Sequence, residues 1–291
     1  MIQISNISKK YKDFFAVNDV SMKLEAGQVY GLVGKTGAGK STLFKLILGL
    51  AQANQGSVQI NGSSNIQELN NEKKSIGFYM GASFYPYLNA QDNLKYVATM
   101  KNIKSQEEID RVLKLVDLYG VKKPFKSFSL GMKQRLGIAN ALLGDPEIVM
   151  LDEPINGLDP QGILEIRQII SDLGRIHNKT VVVSSHILSE LELVADRVGI
   201  IDHGILLKEF DKEDNQNENQ SVQLRTNNNV LAMEVLNHLN PQVLEEKIFL
   251  PLVILDNQDI QLLINNDVQI VEIKTQKQNL EQQYFALTGG K

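Results

Sequence analysis

The chain begins with apolar and polar positions that alternate with a period of two, which predicts short strands in the first 24 residues. A continuous apolar run follows at residues 29–33 and is typical of a buried strand. Residues 42–48 then show the apolar spacing of a helix, and residues 57–60 and 76–80 again predict strands. The apolar positions of the first strands are Ile2, Ile4, Ile7, Val17, Val20, Met22 and Leu24.

From residue 89 to residue 144 the apolar positions change to helical spacing. Asn89 is predicted to cap the first helix, and Ser105 with Glu108 matches a capping box before further helical apolar positions. We therefore predict a helical subdomain over about residues 89–144.

A second continuous apolar run at residues 148–151 ends in Asp152 and Glu153. A strand that is apolar on both faces is typical of a parallel sheet, and such sheets bind ligands beyond the carboxyl ends of their strands. Three further patterns follow in the order strand, helix, strand, at residues 180–184, 187–195 and 197–202. This alternation predicts an α/β fold with a parallel sheet covered by helices on both faces.

The composition changes at residue 211, where a polar stretch without core-forming residues begins. We predict a first domain at residues 1–210, a polar linker at residues 211–220 and a small C-terminal accessory domain at residues 221–291. Apolar runs predict that this last domain is α+β, and it contains no recognisable catalytic constellation. The runs are residues 221–224, 231–239, 248–255, 268–273 and 280–287.

The overall composition is that of a soluble globular protein, with 43% hydrophobic and 22% charged residues. A net charge of −4 argues against nucleic acid as a partner, since phosphate backbones select clustered Lys and Arg. The absence of cysteine excludes disulfides, thiolate chemistry and cysteine-bound zinc. No signal-peptide pattern opens the chain, and the longest apolar run, residues 248–255, is far shorter than the ~20 residues of a membrane span. We expect a cytosolic protein that reaches a membrane only through a partner.

The predicted chemistry centres on residues 34–41, with sequence GKTGAGKS, which join the apolar strand to the first helix. A glycine-rich loop between a strand and a helix is the pattern of a P-loop, which binds polyphosphates through backbone N–H groups and the helix N-terminus. Lys40 is predicted to neutralise the β- and γ-phosphates, and Ser41 to offer its hydroxyl to Mg²⁺. A chance glycine-rich turn is the competing interpretation, and the flanking strand and helix disfavour it.

Asp152 and Glu153 are candidates for different roles, because consecutive strand residues point to opposite sides. One acid can hold Mg²⁺ through water while the other faces the γ-phosphate and accepts a proton from the attacking water. Taken alone, two acids at a strand end are more often a helix cap or a solvated pair, but the P-loop favours the catalytic interpretation. His186 also follows an apolar strand and is a candidate γ-phosphate contact.

The remaining histidines and Tyr11 carry weaker signals. Tyr11 is either an ordinary strand-edge aromatic or a ring that stacks on a base, and the residues alone leave both possibilities open. The histidines outside the strand-end pattern are predicted to be solvated, namely His177, His203 and His238.

Several motifs in order give the chain a resemblance to ATP-binding subunits of ABC transporters over about residues 1–210. Residues 34–42 resemble the Walker A motif, residues 149–153 Walker B, residues 156–159 the D-loop and His186 the switch histidine, and Tyr11 matches the adenine-stacking aromatic. Residues 128–132, FSLGM, stand where the family has LSGGQ and retain Ser129 and Gly131. Their departures, and residues 280–288, are similar to the bacitracin-resistance, lantibiotic-immunity and ABC-2-type exporter branch.

The resemblance implies an α/β P-loop ATPase core with a mixed sheet and a helical subdomain, followed by the small α+β domain. It implies ATP and Mg²⁺ as cofactors, with Lys40, Glu153 and His186 catalytic and Ser41 and Asp152 at the metal. The nucleotide contacts that it implies are Tyr11, Gly34, Lys35, Thr36, Gly37, Ala38, Gly39, Lys40, Ser41, Thr42, Ser129, Gly131 and Asp159.

The FSLGM segment starts a helix at Ser129 whose N-terminus is an anion site with no local anion. The family geometry implies that this anion is the γ-phosphate held by another subunit. The expected assembly is a head-to-tail pair of ATPase subunits, most simply a homodimer, which ATP closes and hydrolysis reopens.

The resemblance implies the ATPase subunit of a bacterial transporter, peripheral at the cytoplasmic side of the cell membrane. It would export or expel peptides or amphipathic compounds through separate integral membrane subunits. The alternative is a soluble ABC ATPase acting on ribosomes or DNA, although such proteins usually carry two ATPase domains or a long coiled coil. A nucleotide-binding regulator with little turnover is disfavoured because Lys40, Asp152, Glu153 and His186 are all present.

One departure from the family pattern is clear. Relatives place Gln or Glu where Gly81 falls, and that side chain contacts Mg²⁺ and links the site to the membrane subunit. We expect a water to replace the missing ligand, and the link to rest on Phe84, Tyr85 and Tyr87.

Overall fold

The computed structural model describes residues 1–63, 76–81, 83–212, 220–244, 247–250 and 255–277. Contacts between Cα atoms divide the chain into two compact units, Met1–Phe210 and Asp211–Lys291. The larger unit has two sheets and the smaller unit one, and each unit has a hydrophobic core of its own.

The larger unit contains a three-stranded antiparallel sheet in the order β2-β1-β4. Its strands are β1 (Ile2–Tyr11), β2 (Phe14–Leu24) and β4 (Gln55–Ile60). The alternating pattern of the sequence is reproduced, because the apolar positions that alternate along β1 and β2 are buried while their neighbours are largely exposed.

The second sheet of this unit has six strands in the order β5-β6-β7-β3-β8-β9. The pairs β5/β6, β6/β7, β7/β3 and β3/β8 are parallel, which confirms the predicted parallel sheet. Since parallel strands share a direction, the loops after β3, β6 and β7 meet at one edge. The strands are β3 (Val29–Val33), β5 (Ile76–Tyr79), β6 (Ile148–Leu151), β7 (Thr180–Ser185), β8 (Arg197–Asp202) and β9 (Ile205–Asp211).

The helices of the larger unit are α1 (Lys40–Ile47), α2 (Ala90–Met100), α3 (Gln106–Leu115), α4 (Leu130–Leu142), α5 (Pro160–Arg175) and α6 (Leu188–Val194), with a 3₁₀ turn at Phe125–Ser127. Three of them, α2, α3 and α4, lie within residues 89–144, where the sequence predicts a helical subdomain. Asn89 caps α2 as predicted, its side chain accepting the N–H of Asp92.

The predicted capping box at α3 is half right. The Ser105 hydroxyl accepts the N–H of Glu108, but its own proton goes to Glu107. The Glu108 carboxylate instead accepts from Arg111 and from the N–H of Gly144, which ties α3 to the chain after α4. The Arg111 guanidinium binds this carboxylate instead. The local sequence pattern does not predict that contact.

One buried cluster joins the two sheets of the larger unit through α1. Residues of β1 and β2 share this cluster with Tyr30 and Leu32 of β3, Leu43 and Phe44 of α1, and Met150 of β6. Full burial of side chains of this size contributes roughly 1.5–3 kcal/mol each before the entropy cost of ordering them. The strand before the P-loop and the helix after it are therefore anchored by the same core.

The smaller unit is an antiparallel sheet in the order β11-β12-β10-β13 with two helices. Its elements are β10 (Gln220–Thr226), α7 (Asn229–Val235), a 3₁₀ turn (Asn237–Leu239), β11 (Gln242–Leu244), β12 (Lys247–Leu250), α8 (Asn257–Asn265) and β13 (Ile270–Lys277). Asp211 ends β9 and Gln220 begins β10, while residues 213–219 of the predicted linker lie outside the described residues. The apolar run at residues 280–287 also lies outside them.

No helix in the part of the chain that the structure describes is long and apolar enough to cross a bilayer.

Candidate functional site

A cleft of about 420 Å³ opens at the carboxyl ends of β3, β6 and β7. It brings together the glycine-rich loop, one of the two acids that follow β6 and the histidine that follows β7. The lining residues are Tyr11, Phe14, Ala16, Thr36, Gly37, Ala38, Gly39, Lys40, Ser41, Thr42, Glu153, Asn156 and His186.

The loop before α1 has a backbone that requires glycine at two positions. Gly39 has a φ of +108°, and a Cβ there would lie 2.3 Å from the carbonyl oxygen of Ala16. A Cβ on Gly34 would lie 2.3 Å from the carbonyl oxygen of Ile201. The loop backbone lines the cleft just before the N-terminus of α1. Gly39, the N-cap residue, has no side chain to cap α1, so no side-chain cap bonds the N–H groups at this end.

Lys40, the first residue of α1, is buried but for 5% of its surface and holds the loop from inside. Its Nζ donates to the carbonyl oxygens of Gly34, at 2.5 Å, and Lys35, at 3.2 Å. The same ammonium lies 3.0 Å from Glu153 Oε1. A cation fixed in this way at a helix N-terminus favours an anion in the cleft.

The hydroxyl of Ser41 and the carboxylate of Asp152 lie side by side. Ser41 Oγ donates to Asp152 Oδ2 at 2.6 Å, and the other carboxylate oxygen, Oδ1, accepts from Ser184 Oγ at 2.6 Å. A hydroxyl and a carboxylate are the hard oxygen ligands that Mg²⁺ prefers. Among the described residues, no group of three His, Cys, Asp or Glu side chains could hold a metal ion.

Glu153 reaches into the cleft from a left-handed backbone conformation with a φ of +49°. Its Oε1 faces Lys40, and its Oε2 lies 2.8 Å from Nδ1 of His186. A carboxylate placed between a cation and an imidazole can accept a proton from water. The structure thus unites three predicted residues that are far apart in sequence.

Aromatic rings border the cleft on the side of the first hairpin. Tyr11 and Phe14 are Cα partners across β1 and β2 and are 48% and 59% exposed. The ammonium of Lys9 lies 4.9 Å from the centre of the Tyr11 ring. An exposed aromatic ring at the edge of a cleft can stack on a base.

Five predicted nucleotide contacts are absent from the lining of this cleft. Gly34 and Lys35 belong to the loop itself, and their carbonyl oxygens accept from Lys40 Nζ. Ser129, Gly131 and Asp159 line a second cleft of about 450 Å³ on the same unit. Ser129 caps α4 by accepting the N–H of Met132, and Asp159 caps α5 by accepting the N–H of Gly162. The structure therefore does not bring these residues to the P-loop of their own chain.

Tyr79, the last residue of β5, connects Asp152 to α4. Its carbonyl oxygen accepts the N–H of Asp152 at 2.8 Å, and its hydroxyl donates to Gln134 Oε1 on α4. Burial raises the pKa of the Tyr79 phenol, which keeps it a protonated donor at neutral pH. The ring also packs against Gly137, where a Cβ would lie 2.2 Å from it.

Gly81 follows this strand with a φ of +75°, and no atom lies within 4 Å of the position that a Cβ would take. The neighbouring Ala82 lies outside the described residues. Farther on, the side chain of Asn93 fixes the chain by bonding to the backbone of Tyr85 and to the carbonyl oxygens of Leu88 and Asn89.

Sequence reasoning assigned no functional role to Phe14, which lines the cleft, or to Ser184, which contacts the acids, and it named Asn156 only as part of the D-loop resemblance. Phe14 could have been found, because it lies across the hairpin turn from Tyr11. Ser184 follows the apolar run of β7 and immediately precedes Ser185 and His186, a position that signals a strand end but not a partner. Its contact with both acids depends on the pairing of β6 with β7.

A family profile, related sequences and solved structures all indicate the same family for this chain. Residues 17–156 match the profile of the family described as ABC transporter. The bacitracin transport ATP-binding protein BcrA of Bacillus licheniformis is 36% identical over 313 residues, which cover 100% of this chain and 98% of BcrA. The lantibiotic transport ATP-binding protein SrtF of Streptococcus pyogenes is 42% identical over 222 residues, covering 75% of this chain and 95% of SrtF.

Among solved structures, the dimeric post-hydrolysis state of the ATP-binding cassette MJ0796 bound to ADP and Pi superposes with a TM-score of 0.66. It is 25% identical, and the match covers 73% of this chain and 99% of the cassette. The α/β fold expected from the motifs is thereby confirmed. With full-length relatives above 30% identity and this fold, the chain belongs to the ABC transporter family, as an ATP-hydrolysing subunit of a transporter.

Proposed function

We propose that this ATPase drives the export or expulsion of peptides or amphipathic compounds through a separate integral membrane subunit, from the cytoplasmic side of the cell membrane. Support for the cargo comes from BcrA and SrtF, which are named for the transport of bacitracin and of lantibiotics. The observation that carries the catalytic part is the single cleft in which the glycine-rich loop, Lys40, Glu153 and His186 meet.

In this proposal the triphosphate of ATP lies along the backbone of residues 34–42, with its terminal phosphates on Lys40 and the N-terminus of α1. Glu153 accepts a proton from the attacking water, and His186 holds the Glu153 carboxylate and contacts the γ-phosphate. The rings of Tyr11 and Phe14 face the base. Each role follows from a polar or aromatic group that borders the cleft.

Ser41 and Asp152 fit Mg²⁺, because their oxygens lie 2.6 Å apart beside the loop. Bound there, Mg²⁺ would neutralise phosphate charge and orient the terminal phosphate. We propose that Ser41 binds it directly and Asp152 through water, and that water takes the position that Gly81 cannot supply. A structure with Mg-ATP tests this, and a side-chain oxygen on the metal from any residue between Tyr79 and Asn93 would refute it.

We also propose a head-to-tail homodimer in which Ser129, Gly131 and Asp159 meet the nucleotide of the other subunit. Two observations support it. These residues form their own cleft, at the N-termini of α4 and α5, away from the P-loop. The related cassette MJ0796 is a dimer in its ADP and Pi complex.

Contact with the membrane subunit is proposed on the surface that follows Gly81. Tyr85 and Tyr87 are exposed there, and Tyr85 packs edge-on against Tyr96 of α2. Aromatic residues that combine apolar area with a polar tip are enriched in protein interfaces. The link to the partner would then rest on these rings and on the backbone that Asn93 fixes.

The alternative to export through a membrane subunit is the function of a soluble ABC ATPase that acts on ribosomes or DNA. The relatives that cover the chain are named for transport, which favours the transporter subunit. Purification of the tagged Glu153→Gln chain from detergent-solubilised source membranes in the presence of Mg-ATP distinguishes the two functions. We expect an integral membrane protein to co-purify.

Recovery of ribosomes or DNA without a membrane protein would contradict the proposal. The combined variant Tyr85→Ala and Tyr87→Ala should weaken co-purification while ATPase activity persists. The matched control is Tyr119→Ala, an exposed tyrosine after α3 that makes a cation–π contact with Lys114.

A further inference from the structure

The hydroxyl of Ser184 joins the two acidic residues that follow β6. Ser184 is fully buried and lies on β7, next to β6 in parallel pairing. Its Oγ lies 2.6 Å from Asp152 Oδ1 and 2.9 Å from the backbone nitrogen of Glu153. A single side chain therefore contacts both acids.

The chemistry of the groups fixes the direction of these two hydrogen bonds. An ionised carboxylate only accepts, a backbone N–H only donates, and a hydroxyl has one proton and two lone pairs. Ser184 must therefore donate its proton to Asp152 and accept the N–H of Glu153. Loss of the hydroxyl would remove both bonds together and leave a part-buried N–H without this acceptor.

The bond to Glu153 holds an uncommon backbone conformation. Glu153 has a φ of +49°, which residues with a side chain rarely adopt. Such conformations persist where neighbouring groups hold them, and they cluster at functional sites. From this backbone the Glu153 carboxylate reaches both Lys40 and His186.

The bond to Asp152 sets the orientation of its carboxylate. Oδ1 is taken by Ser184, so that Oδ2 faces the hydroxyl of Ser41 at 2.6 Å. Rotation of the carboxylate would break both contacts. Ser184 is absent from the cleft lining, so it acts on the site through the two acids.

We infer that Ser184 is a positioning residue for ATP hydrolysis, which orients Asp152 towards Ser41 and holds the Glu153 backbone so that its carboxylate faces Lys40 and His186. This inference rests on the proposed roles of Asp152 and Glu153. It adds a residue that neither binds nucleotide nor matches any of the motifs of the sequence.

The test compares full-length Ser184→Ala with the parent chain. We expect kcat to fall about 10- to 100-fold, the usual loss when a group supporting a metal or catalytic ligand is removed. The Mg²⁺ concentration for half-maximal activity should rise, because Asp152 loses its orientation. The affinity for ATP measured in EDTA should stay within about twofold, because the contact of Lys40, the proposed phosphate ligand, with the loop carbonyl of Gly34 does not involve Ser184.

Three further variants separate positioning from folding. Ser184→Thr keeps the hydroxyl and should restore kcat to within a few-fold of the parent, whereas Ser184→Cys keeps the volume with a weak donor and should not. Thr180→Val is the matched control, since Thr180 is also buried on β7 and its hydroxyl accepts the N–H of Gly27 at 3.0 Å. It should lower the melting temperature and leave kcat unchanged.

A Ser184→Ala or Ser184→Cys chain that is folded and keeps parental kcat and Mg²⁺ dependence would overturn the inference. Equal losses of kcat in Ser184→Ala and Thr180→Val would also overturn it, because stability would then explain both. Glu153→Gln is measured in parallel. If it retains parental kcat, the proposed function fails, whereas an inactive Glu153→Gln beside an active Ser184→Ala refutes only the role of Ser184.

Discussion

Lys40 Nζ lies 3.0 Å from Glu153 Oε1, so the buried cation of the P-loop and the acid proposed to accept the water proton form an ion pair. The γ-phosphate of ATP is negatively charged and is proposed to bind the same ammonium. Glu153 and the phosphate therefore compete electrostatically for Lys40. Nucleotide binding and the environment of the catalytic acid are coupled through this one side chain.

Glu153→Gln should lower kcat roughly 10²-fold or more, because it keeps the shape of the side chain and removes the proton acceptor. The affinity for ATP should be retained or rise, because a neutral amide no longer competes for Lys40. Steady-state hydrolysis and equilibrium nucleotide titration measure the two quantities. Gel filtration with Mg-ATP should show a trapped dimer.

The matched control for that variant is Glu147→Gln, at the exposed amino end of the same strand region. It should behave as the parent in all three assays. An unchanged kcat in Glu153→Gln would contradict the role of Glu153 as a base. A variant that stays monomeric with Mg-ATP would contradict the shared-site dimer.

Tyr11→Ala and Phe14→Ala should each raise the KM for ATP with little change in kcat, because both rings border the cleft away from the phosphates. Stacking of a base on an aromatic ring is worth about 1–3 kcal/mol, which corresponds to roughly 5- to 150-fold in affinity. Phe15→Ala is the control, since Phe15 is exposed, faces the opposite side of the strand and contacts Lys10. Equal effects of Phe14→Ala and Phe15→Ala would exclude Phe14 from the base site.

Stability should depend on acid pH through Asp145, between α4 and β6. The Lys179 ammonium, hydrogen-bonded to Asp145 at 2.8 Å, lowers the pKa of this carboxyl below its ordinary value of 3.8, and Arg111 adds to the effect. A carboxyl with a lower pKa in the folded state stabilises the fold above its unfolded pKa, and this stabilisation is lost as the pH falls through the folded pKa.

Asp145→Asn tests this dependence, and asparagine tolerates the left-handed backbone found there, with a φ of +52°. The variant should melt about 1–3 °C below the parent at pH 7, a small effect because Asp145 is 66% exposed. The difference should shrink as the pH falls below 3.8. A difference of the same size at pH 3 and pH 7 would contradict the assignment.

A chain truncated after Phe210 should still bind ATP, because every residue proposed to contact nucleotide belongs to the unit Met1–Phe210. Fluorescence titration with a labelled ATP analogue measures the affinity, and circular dichroism establishes that the truncated chain is folded. A folded chain that fails to bind nucleotide would contradict the division into two domains.

The part of the site that is local in the sequence could be predicted from the sequence alone. The P-loop needs only a strand, glycines with a particular backbone and a helix, all within residues 29–48, so its position and its Lys40 and Ser41 were predictable. The same holds for the cap at Asn89 and the helix start at Ser129, which depend on hydrogen bonds within one turn. The capping box at Glu108 was wrong in part because Arg111 and Gly144 offered better partners.

Contacts between strands that are far apart in sequence required the tertiary structure. The order β6-β7-β3 places Asp152, Ser184 and the P-loop side by side, and no local pattern encodes that order. The partnership of Ser184 with both acids and the ion pair of Lys40 with Glu153 follow from it. Sequence determined which groups were available for chemistry, and the packing of the parallel sheet decided which of them meet, because distances across a sheet depend on strand pairing and not on separation along the chain.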